Sequence, residues 1–399
     1  MRTGTVGGRI ISSKERAEAV LGFLQDRSGD MVDLLLDLVS LESPTDVRET
    51  QVPVQQRLTD ELERRGFAVR HLEGSRTGGH LYARPVERRR GIPGQLLIGH
   101  CDTVWPVGTL ESMPAQLDGR RVRGPGSFDM KAGLVQGLFA VEALRGLGLQ
   151  PPATPVWLVN SDEEIGSPES SRWVRLLARH VARAFVLEPA FGLEGYLKTR
   201  RKGVSRYRVT VKGVAAHAGL EPTKGSSAIV ELANVIQRLH AFTDLERGTT
   251  VNVGKVRGGS RPNVVAAEAS AEVDVRVTST GDAEELDRKI RALQPSTEGT
   301  EIIVEGGTGV PPMERTARNR SLWEEAVAAA ERLGIDLGEF MAGGRSDGNT
   351  TSRFTATLDG LGAVGEGAHA LHESVNAPAL VERAALLAEL LMSPVRALR

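Results

Sequence analysis

Length, composition and charge exclude several classes of protein. The chain has 399 residues, with 40% hydrophobic and 25% charged residues, so it is neither a small disulfide-stabilised fold nor a disordered chain, and two or three domains are expected. Its 50 Lys and Arg balance 51 Asp and Glu to a net charge of -1, which favours neither nucleic acid nor an anionic membrane. The single cysteine, Cys101, excludes an intrachain disulfide, so any bound metal must use histidines and carboxylates.

The sequence predicts neither export nor membrane insertion. Residues 1–20 contain no uninterrupted apolar segment of the kind that a signal peptide has. No stretch of the chain reaches the roughly 18 consecutive apolar residues of a membrane-spanning helix. We therefore expect a cytoplasmic protein.

Helices and short apolar strands alternate in the first half of the chain. An amphipathic helix is predicted over 31–41, with Asp30 as its N-cap. A second amphipathic pattern lies within 54–67 and ends at Gly66. This alternation predicts an α/β fold with a mostly parallel sheet, in which ligands bind at the carboxyl ends of the strands. The buried strands are predicted over 95–104, 154–167 and 184–189, and a further helix over 131–149.

The pattern changes near Lys198. Alternating strands and amphipathic helices follow in the order β-α-β-β-α-β, which is typical of a ferredoxin-like α+β domain with an antiparallel sheet. The α/β character returns after Pro312. We therefore expect residues 1–197 and 309–399 to form one domain, into which residues 198–308 are inserted as a second.

The last segment is predicted to complete the α/β domain. It carries two helices, over 321–334 and 379–392. Two glycine-rich loops, over 342–352 and 365–376, are expected between them.

His100 and Asp102 are two residues apart at the end of an apolar strand. The period of two in a strand puts both side chains on one face, while Cys101 points to the other. This spacing suits a histidine ligand whose second ring nitrogen is held by a carboxylate. For an isolated pair, a polar contact at a strand end is the better explanation.

Further carboxylates follow other predicted elements. Asp129 lies in a tight glycine-rich turn before a helix, where it could bind a metal or simply cap the helix. Glu163 and Glu164 are adjacent at a strand end, where unpartnered carboxylates would repel each other and a divalent cation would relieve the repulsion. Because adjacent side chains point in different directions, one glutamate could bind metal while the other faces substrate. Glu188 also lies at a strand end.

The glycine-rich loop near the C-terminus adds two histidines, His369 and His372, of which at most one need be a ligand. One strand-end histidine, one aspartate, two glutamates and a distal histidine form a set of nitrogen and oxygen donors without thiolate. Such a set suits a hydrolytic site with two zinc ions, or with zinc and cobalt, that share a bridging carboxylate.

The ordered motifs of the chain resemble those of the M20 family of zinc aminoacylases and carboxypeptidases, and most of all its glutamate carboxypeptidase branch. The resemblance covers nearly the whole sequence and implies that the inserted domain serves as a dimerisation lid. The motifs are GHCDTV, RGPGSFDMKAGL, NSDEEIGS, LEP, GVAAHAG, and AGGRSDGN with GAHALHE.

The resemblance also implies a role for each site residue. Glu163 would be the general acid and base, Asp102 would orient His100, and the peptide bond after Asp129 would be cis. His369 rather than His372 matches the family's histidine. One zinc would be held by His100, Asp129 and Glu188, and the other by Asp129, Glu164 and His369.

In the inserted domain, the resemblance implies that His217 binds the carbonyl oxygen of the substrate from the partner subunit of a homodimer. Asn263 and Arg276 match positions that hold the substrate and its carboxylate. Without the resemblance, Arg276 would be interpreted as a residue on the surface of a strand.

The chain departs from the glutamate carboxypeptidase pattern at two places. Val310 stands where the pattern has an arginine, and Arg345 stands in the glycine loop at a position that is usually small. Both differences bear on the preference for glutamate rather than on the metal chemistry, and Arg345 becomes a candidate substrate-binding residue.

The sequence and the resemblance therefore predict a dizinc amidohydrolase of the glutamate carboxypeptidase type, which cleaves the amide bond next to a free amino-acid carboxylate. The substrate is expected to be a small molecule, either an N-acyl amino acid or a short peptide. An N-acyl-amino-acid deacylase is the alternative within the hydrolases, because the scissile bond is the same amide. A non-catalytic binding protein on an M20 scaffold is the alternative of another class, and the full set of ligands and the base argue against it.

Overall fold

The computed structural model of the protein describes residues 4–6, 9–87 and 89–395. It divides into two compact units. Unit 1 runs to Thr199 and includes Arg315–Met341 and the segment from Ser346 onward, whereas unit 2 consists of Arg200–Glu314 and Ala342–Arg345. Among the helices of the described residues, none has the length and apolarity needed to cross a bilayer.

The described residues contain ten helices, eight in unit 1 and two in unit 2. They are α1 (Ser13–Gln25), α2 (Ser28–Val39), α3 (Arg48–Arg64), α4 (Ala132–Gly146), α5 (Ser171–Ala178), α6 (Ala228–His240), α7 (Thr280–Arg291), α8 (Ala317–Leu333), α9 (Asp347–Thr351) and α10 (Ala379–Met392).

The strands of the described residues form five sheets. They are β1 (Gly4–Val6), β2 (Arg9–Ile11), β3 (Phe67–Leu72), β4 (His80–Pro85), β5 (Gly94–His100), β6 (Gln116–Asp118), β7 (Arg121–Arg123), β8 (Thr154–Asn160), β9 (Val181–Val186), β10 (Leu197–Arg201), β11 (Gly203–Lys212), β12 (Thr250–Gly258), β13 (Glu268–Val277), β14 (Glu301–Val310), β15 (Glu339–Ala342), β16 (Ala356–Leu358), β17 (Gly365–Glu366) and β18 (Ser374–Asn376).

The central sheet of unit 1 has six strands in the order β16-β9-β5-β8-β4-β3. The first four are parallel, and β4 and β3 add an antiparallel edge. Beyond its first residue β5 is buried throughout, as expected of a strand with helices on both faces of its sheet. The carboxyl ends of β5, β8 and β9 therefore lie side by side, and the polar residues that follow them share one edge.

A small antiparallel sheet in unit 1, with the order β17-β18-β7-β6, holds the C-terminal glycine-rich loop. β17 and β18 pair with each other on either side of residues 367–373, and β18 pairs with β7. The segment around His369 is thus anchored at both of its ends.

Unit 2 has a four-stranded antiparallel sheet in the order β12-β13-β11-β14. Its elements follow the chain as β11-α6-β12-β13-α7-β14, the predicted β-α-β-β-α-β order. Val209 and Val273 of the sheet pack with Val235 of α6 and Leu286 of α7 in one core. The predicted fold class, a mostly parallel α/β domain with an inserted α+β domain, is confirmed.

Three local predictions were wrong or incomplete. Asp30 is not an N-cap, because α2 begins at Ser28 with Arg27 at the cap position, and Asp30 lies in the first turn, where a carboxylate still favours the positive end of the helix dipole. Helix α3 begins at Arg48 and contains Pro53. The loop over 342–352 contains α9, which is capped by Ser346.

Candidate metal centre

Three parallel strands deliver most of the candidate ligands. His100 is the last residue of β5, Glu163 and Glu164 follow β8, and Glu188 follows β9. His100, Glu163 and Glu188 are all less than 9% exposed. Burying charged groups this deeply is costly unless partners compensate for the lost water, so the contacts of each group are informative.

The imidazole of His100 is fixed by the segment that follows it. Its Nδ1 lies 3.0 Å from the backbone oxygen of Asp102 and 3.4 Å from the carboxylate Oδ1 of the same residue. The Asp102 carboxylate also accepts hydrogen bonds from the Thr45 hydroxyl at 2.7 Å and from the backbone N–H groups of Glu163 and Glu164 at 3.4 and 3.2 Å. Asp102 thus joins the His100 strand end to the segment that carries both glutamates.

Asp129 lies between two histidines. Its Oδ1 is 3.3 Å from His100 Nε2, and its Oδ2 is 3.5 Å from His369 Nε2. The residue belongs to a π-type turn, Ser127–Lys131, in which its own backbone is not helical, so it does not act as a simple helix cap. The peptide bond between Asp129 and Met130 is cis, as the family resemblance implies.

The remaining carboxylates lie on either side of Asp129. Glu188 Oε1 is 3.7 Å from His100 Nε2, and Glu164 Oε2 is 3.2 Å from His369 Nε2. Of the two histidines in the C-terminal loop, His369 is therefore the one brought to Asp129 and Glu164. His369 adopts a φ of 61°, which is uncommon for a residue other than glycine.

These residues fit divalent metal ions. Donor atoms of His100, Asp129 and Glu164 lie within 4.8 Å of one another, as do those of His100, Glu163 and Glu188. The Oε1 atom of Glu164 is buried and has no hydrogen-bond partner among the described residues. A buried, unsatisfied carboxylate oxygen within a cluster of acids and imidazoles is the environment that a cation stabilises, and donors of this type suit zinc.

The clustered carboxylates create a negative field that acts on both histidines. Hydrogen bonds to Asp129 and Glu164 raise the pKa of His369 to about 10. Burial lowers the pKa of His100, but hydrogen bonds to Asp102 and Asp129 outweigh it and raise that pKa well above its ordinary value. Burial disfavours the charged form of Asp129. The two imidazoles favour that form and outweigh burial, so the pKa of Asp129 is lowered. The same field that holds protons on the histidines attracts divalent cations.

The sequence analysis missed two residues that support this cluster. Thr45 donates to Asp102, and Glu373 accepts hydrogen bonds from the turn that carries Asp129. No local pattern marks either residue. The one available signal for Glu373 was a glutamate inside a motif already singled out for its histidines.

In unit 2, the structure brings His217 next to Asn263. The backbone N–H of Ala218 donates to the backbone oxygen of Asn263 at 3.0 Å, and His217 forms a β-bridge with Val264. The exposed imidazole of His217 is oriented locally, because its Nδ1 accepts hydrogen bonds from the N–H groups of Gly219 and Leu220, each at 3.2 Å.

Arg276 lies on β13 and forms a bidentate pair with Asp274, at 2.7 and 3.1 Å. It pairs with Val204 of β11, and Val204 pairs with Val310 of β14. Arg276 and Val310 therefore lie in one cross-strand row, about 10 Å apart across two strand spacings. Arg345 also belongs to unit 2, and its backbone oxygen accepts a hydrogen bond from Arg201 at 3.2 Å.

Comparison with known proteins relates the chain to the M20 peptidases. Residues 199–296 match the M20 peptidase dimerisation domain. The chain is 26% identical to carboxypeptidase G2 from Pseudomonas sp. (strain RS-16), over 98% of this chain and 95% of that protein. It is also 26% identical to a succinyl-diaminopimelate desuccinylase from Dechloromonas aromatica, over 84% of this chain and 91% of that protein.

A dinuclear metal-binding M20 peptidase from Bacillus subtilis has a similar fold, with a TM-score of 0.68 and 16% identity over 92% of this chain and 98% of its own. At that identity the likeness supports the fold alone. Fold, matched domain and relatives together define a metal-dependent hydrolase. The matched dimerisation domain and the relative that aligns with nearly the whole chain support an M20 family metallopeptidase, and the chain is an enzyme.

Proposed function

We propose that the protein is a dinuclear zinc amidohydrolase that cleaves the amide bond next to a free amino-acid carboxylate. The position of Asp129, with one carboxylate oxygen facing His100 and the other facing His369, is the observation that carries this proposal. Glu188 would complete the site on the His100 side, and Glu164 the site on the His369 side, with cobalt as a possible substitute for zinc.

Two bound ions would supply Lewis acidity, which makes water a usable nucleophile at neutral pH and polarises an amide carbonyl. Glu163 would take up the proton of the attacking water on its carboxylate and return it to the nitrogen of the leaving amine. Its backbone N–H lies 3.4 Å from Asp102 Oδ1, so the carboxylate that orients His100 also restrains the proposed base.

His217 is suited to donate a hydrogen bond to the substrate. Because its Nδ1 accepts two backbone hydrogen bonds, the proton of the neutral imidazole resides on Nε2. An Nε2–H group can stabilise the negative charge that develops on the carbonyl oxygen. We propose that it does so from the partner subunit of a homodimer, with Asn263 beside it as a further substrate contact.

Arg276 is the proposed partner of the substrate's α-carboxylate. Asp274 engages one edge of its guanidinium and thereby fixes the direction of the fork. Arg345 is a candidate for a second substrate contact.

An N-acyl-amino-acid deacylase is a second candidate, because its scissile bond is the same amide and the relatives include a desuccinylase. The row that contains Arg276 and Val310 bears on the side chain that either activity would accept. A negatively charged substrate side chain near Val310 would have no cationic partner at that position. An apolar side chain needs no such partner and would bind there without this cost. The similarity to both a carboxypeptidase and a desuccinylase is compatible with either activity. We propose that a free α-carboxylate is required and that the side chain next to it is preferably uncharged.

The test is hydrolysis of a panel of N-acyl amino acids and C-terminal dipeptides by the purified protein. Chelation should abolish hydrolysis, and zinc or cobalt should restore it. Full activity in a metal-free preparation would contradict the proposed chemistry. Comparison of substrates with a free and an amidated α-carboxylate tests the role of Arg276.

A further inference from the structure

Glu373 is a buried carboxylate whose acceptor capacity is filled. It is 1% exposed. Its Oε1 accepts hydrogen bonds from the backbone N–H groups of Phe128 and Asp129 at 2.8 and 3.0 Å. Its Oε2 accepts from the backbone N–H of Gly126 at 3.1 Å and from the indole Nε1–H of Trp105 at 2.8 Å. Each oxygen thus receives two donors, and no lone pair is left for a metal.

These four bonds join three segments of unit 1 that carry candidate ligands. Trp105 follows His100 and Asp102, the N–H groups of the 126–129 turn position Asp129, and Glu373 itself lies four residues after His369. Glu373 and Asp129 are 244 positions apart in the chain. The pairing of β18 with β7 brings the two segments together at Arg121–Arg123, and the bonds to Glu373 extend this connection to the 126–129 turn itself.

We propose that Glu373 is a positioning residue of the metal centre, which holds the Asp129 turn against the His369 loop so that both side chains face Glu164. The inference rests on the proposed function, because it assigns those three side chains to one ion. Charge-assisted bonds from a carboxylate to backbone N–H groups are stronger than neutral ones, so this carboxylate defines the turn more firmly than an amide would.

The proposal predicts an unequal effect on the two ions. A Gln side chain at position 373 would have one acceptor oxygen and an NH₂ group that faces N–H donors, so some donors in the 126–129 turn would lose their partners. The site made by Asp129, Glu164 and His369 should weaken most, because Glu373 holds both the Asp129 turn and the His369 loop. The site on the His100 side shares Asp129 and should weaken less, because His100 keeps its contacts with Asp102. Outer-shell partners of metal ligands typically change affinity or activity about 10- to 100-fold.

Glu231 offers a matched control. It is also a buried glutamate, and it accepts hydrogen bonds from the backbone N–H groups of Ser296 and Thr297 at 3.1 and 2.7 Å, and from the Ser296 hydroxyl at 2.8 Å. It lies in unit 2 and contacts none of the candidate ligands in these bonds. Glu231→Gln therefore removes the same kind of interaction from a different loop.

The experiment compares wild type, Glu373→Gln and Glu231→Gln in zinc titrations against a competing chromophoric chelator, with kcat and KM measured at fixed free zinc. We expect two bound ions in wild type and in Glu231→Gln. In Glu373→Gln we expect one ion weakened by about 10-fold or more and the other weakened less. The variant's kcat should be low at limiting zinc and recover in excess zinc, with little change in KM.

Two wild-type affinities in a folded Glu373→Gln protein would overturn the inference. If that variant does not fold, Trp105→Phe removes one donor while keeping an aromatic ring, and it should weaken the same ion to a smaller extent. Unchanged zinc affinities in Trp105→Phe would then count against the inference. Failure of the wild type itself to bind zinc would instead contradict the proposed function, on which the inference rests.

Discussion

The strand-end cluster of unit 1 and the His217 turn of unit 2 hold their candidate residues in opposite ways. In the cluster, His100 and Asp102 are buried, and the Asp102 carboxylate beside His100 is held by distant segments, through Thr45 and the N–H groups of residues 163 and 164. In the turn, His217 is exposed and its imidazole is held by residues two and three positions away. The metal centre is thus built by tertiary structure, whereas the proposed carbonyl contact is built by a local turn.

This difference predicts separable consequences of mutation. Changes in the cluster should alter metal binding, because each ligand depends on supports from elsewhere in unit 1. Changes in the turn should alter catalysis while metal content stays constant.

Glu163→Gln should lower kcat by at least about 100-fold while both zinc ions are retained, because general acid and base catalysis contributes on that scale. Glu164→Gln is the matched variant, and it should lose one ion. Zinc content by elemental analysis and kcat on the best substrate provide the measurements. Because an oxygen of Glu163 also lies within 4.8 Å of donor atoms of His100 and Glu188, the reverse pattern of metal loss would show that the two roles are exchanged.

His217→Ala should be inactive with full zinc content, which would mark the turn as catalytic and not metal-binding. Mixing it with Glu163→Gln subunits should restore activity if His217 acts across a homodimer. Random exchange makes half of the dimers hybrid, each with one intact site, so about a quarter of wild-type activity is expected. Demonstrated subunit exchange without any recovery would contradict action from the partner subunit.

Val310→Arg should raise the ratio of kcat/KM for C-terminal glutamate to that for leucine by about 10-fold, equivalent to about 1.4 kcal/mol. The guanidinium fork matches a carboxylate, so Val310→Lys should produce a smaller shift and Val310→Met none. Zinc content should stay unchanged in all three variants. A wild-type enzyme that already prefers glutamate by such a factor would contradict the proposed side-chain preference and indicate that Arg345 or another group binds the charge.

Glu61→Gln should affect stability without affecting catalysis or zinc content. Burial opposes its ionisation, but hydrogen bonds from Arg64, Arg57 and Arg65 outweigh it and lower the pKa of Glu61 from 4.5 to about 2. Because the folded-state pKa is depressed, the stabilisation is complete above about pH 5 and is lost as the pH falls towards 2. We expect a loss on the order of 2 to 3 kcal/mol at pH 7.

Thermal unfolding of both proteins across that pH range is the measurement. The difference in Tm should shrink as the pH falls through the range from about 5 to 2. A difference that stays constant with pH would show that the Glu61 carboxylate contributes through packing rather than charge.

Much of the fold could be predicted because its signals are local. The alternation of apolar residues in β11 and β13 and the periodicity of α6 and α7 predicted the order of elements in the inserted domain. The small sheet made by β6, β7, β17 and β18 was not predicted, because its strands have only two or three residues each and carry no readable period.

Some residues of the candidate site could likewise be predicted from local signals, whereas others could not. His100, Glu163 and Glu188 could be selected from sequence because each lies at the end of an apolar strand. Glu373 could not, because its importance comes from hydrogen bonds to a turn 244 residues earlier in the chain. The structure also changes how Asp102 orients His100, since the shorter contact of Nδ1 is with the backbone oxygen of Asp102 and not with its carboxylate.

Because unit 2 interrupts unit 1, the candidate ligands of the metal centre are synthesised at different times. His100, Asp129, Glu164 and Glu188 are all synthesised before residues 200–314, whereas His369 is synthesised afterwards. Unit 2 comes mainly from one uninterrupted segment, so its sheet can assemble while unit 1 still lacks its C-terminal helices. The nascent chain therefore carries an incomplete, acidic set of ligands while the inserted unit is synthesised. The set becomes complete only when the C-terminal part of unit 1, with His369, has been translated.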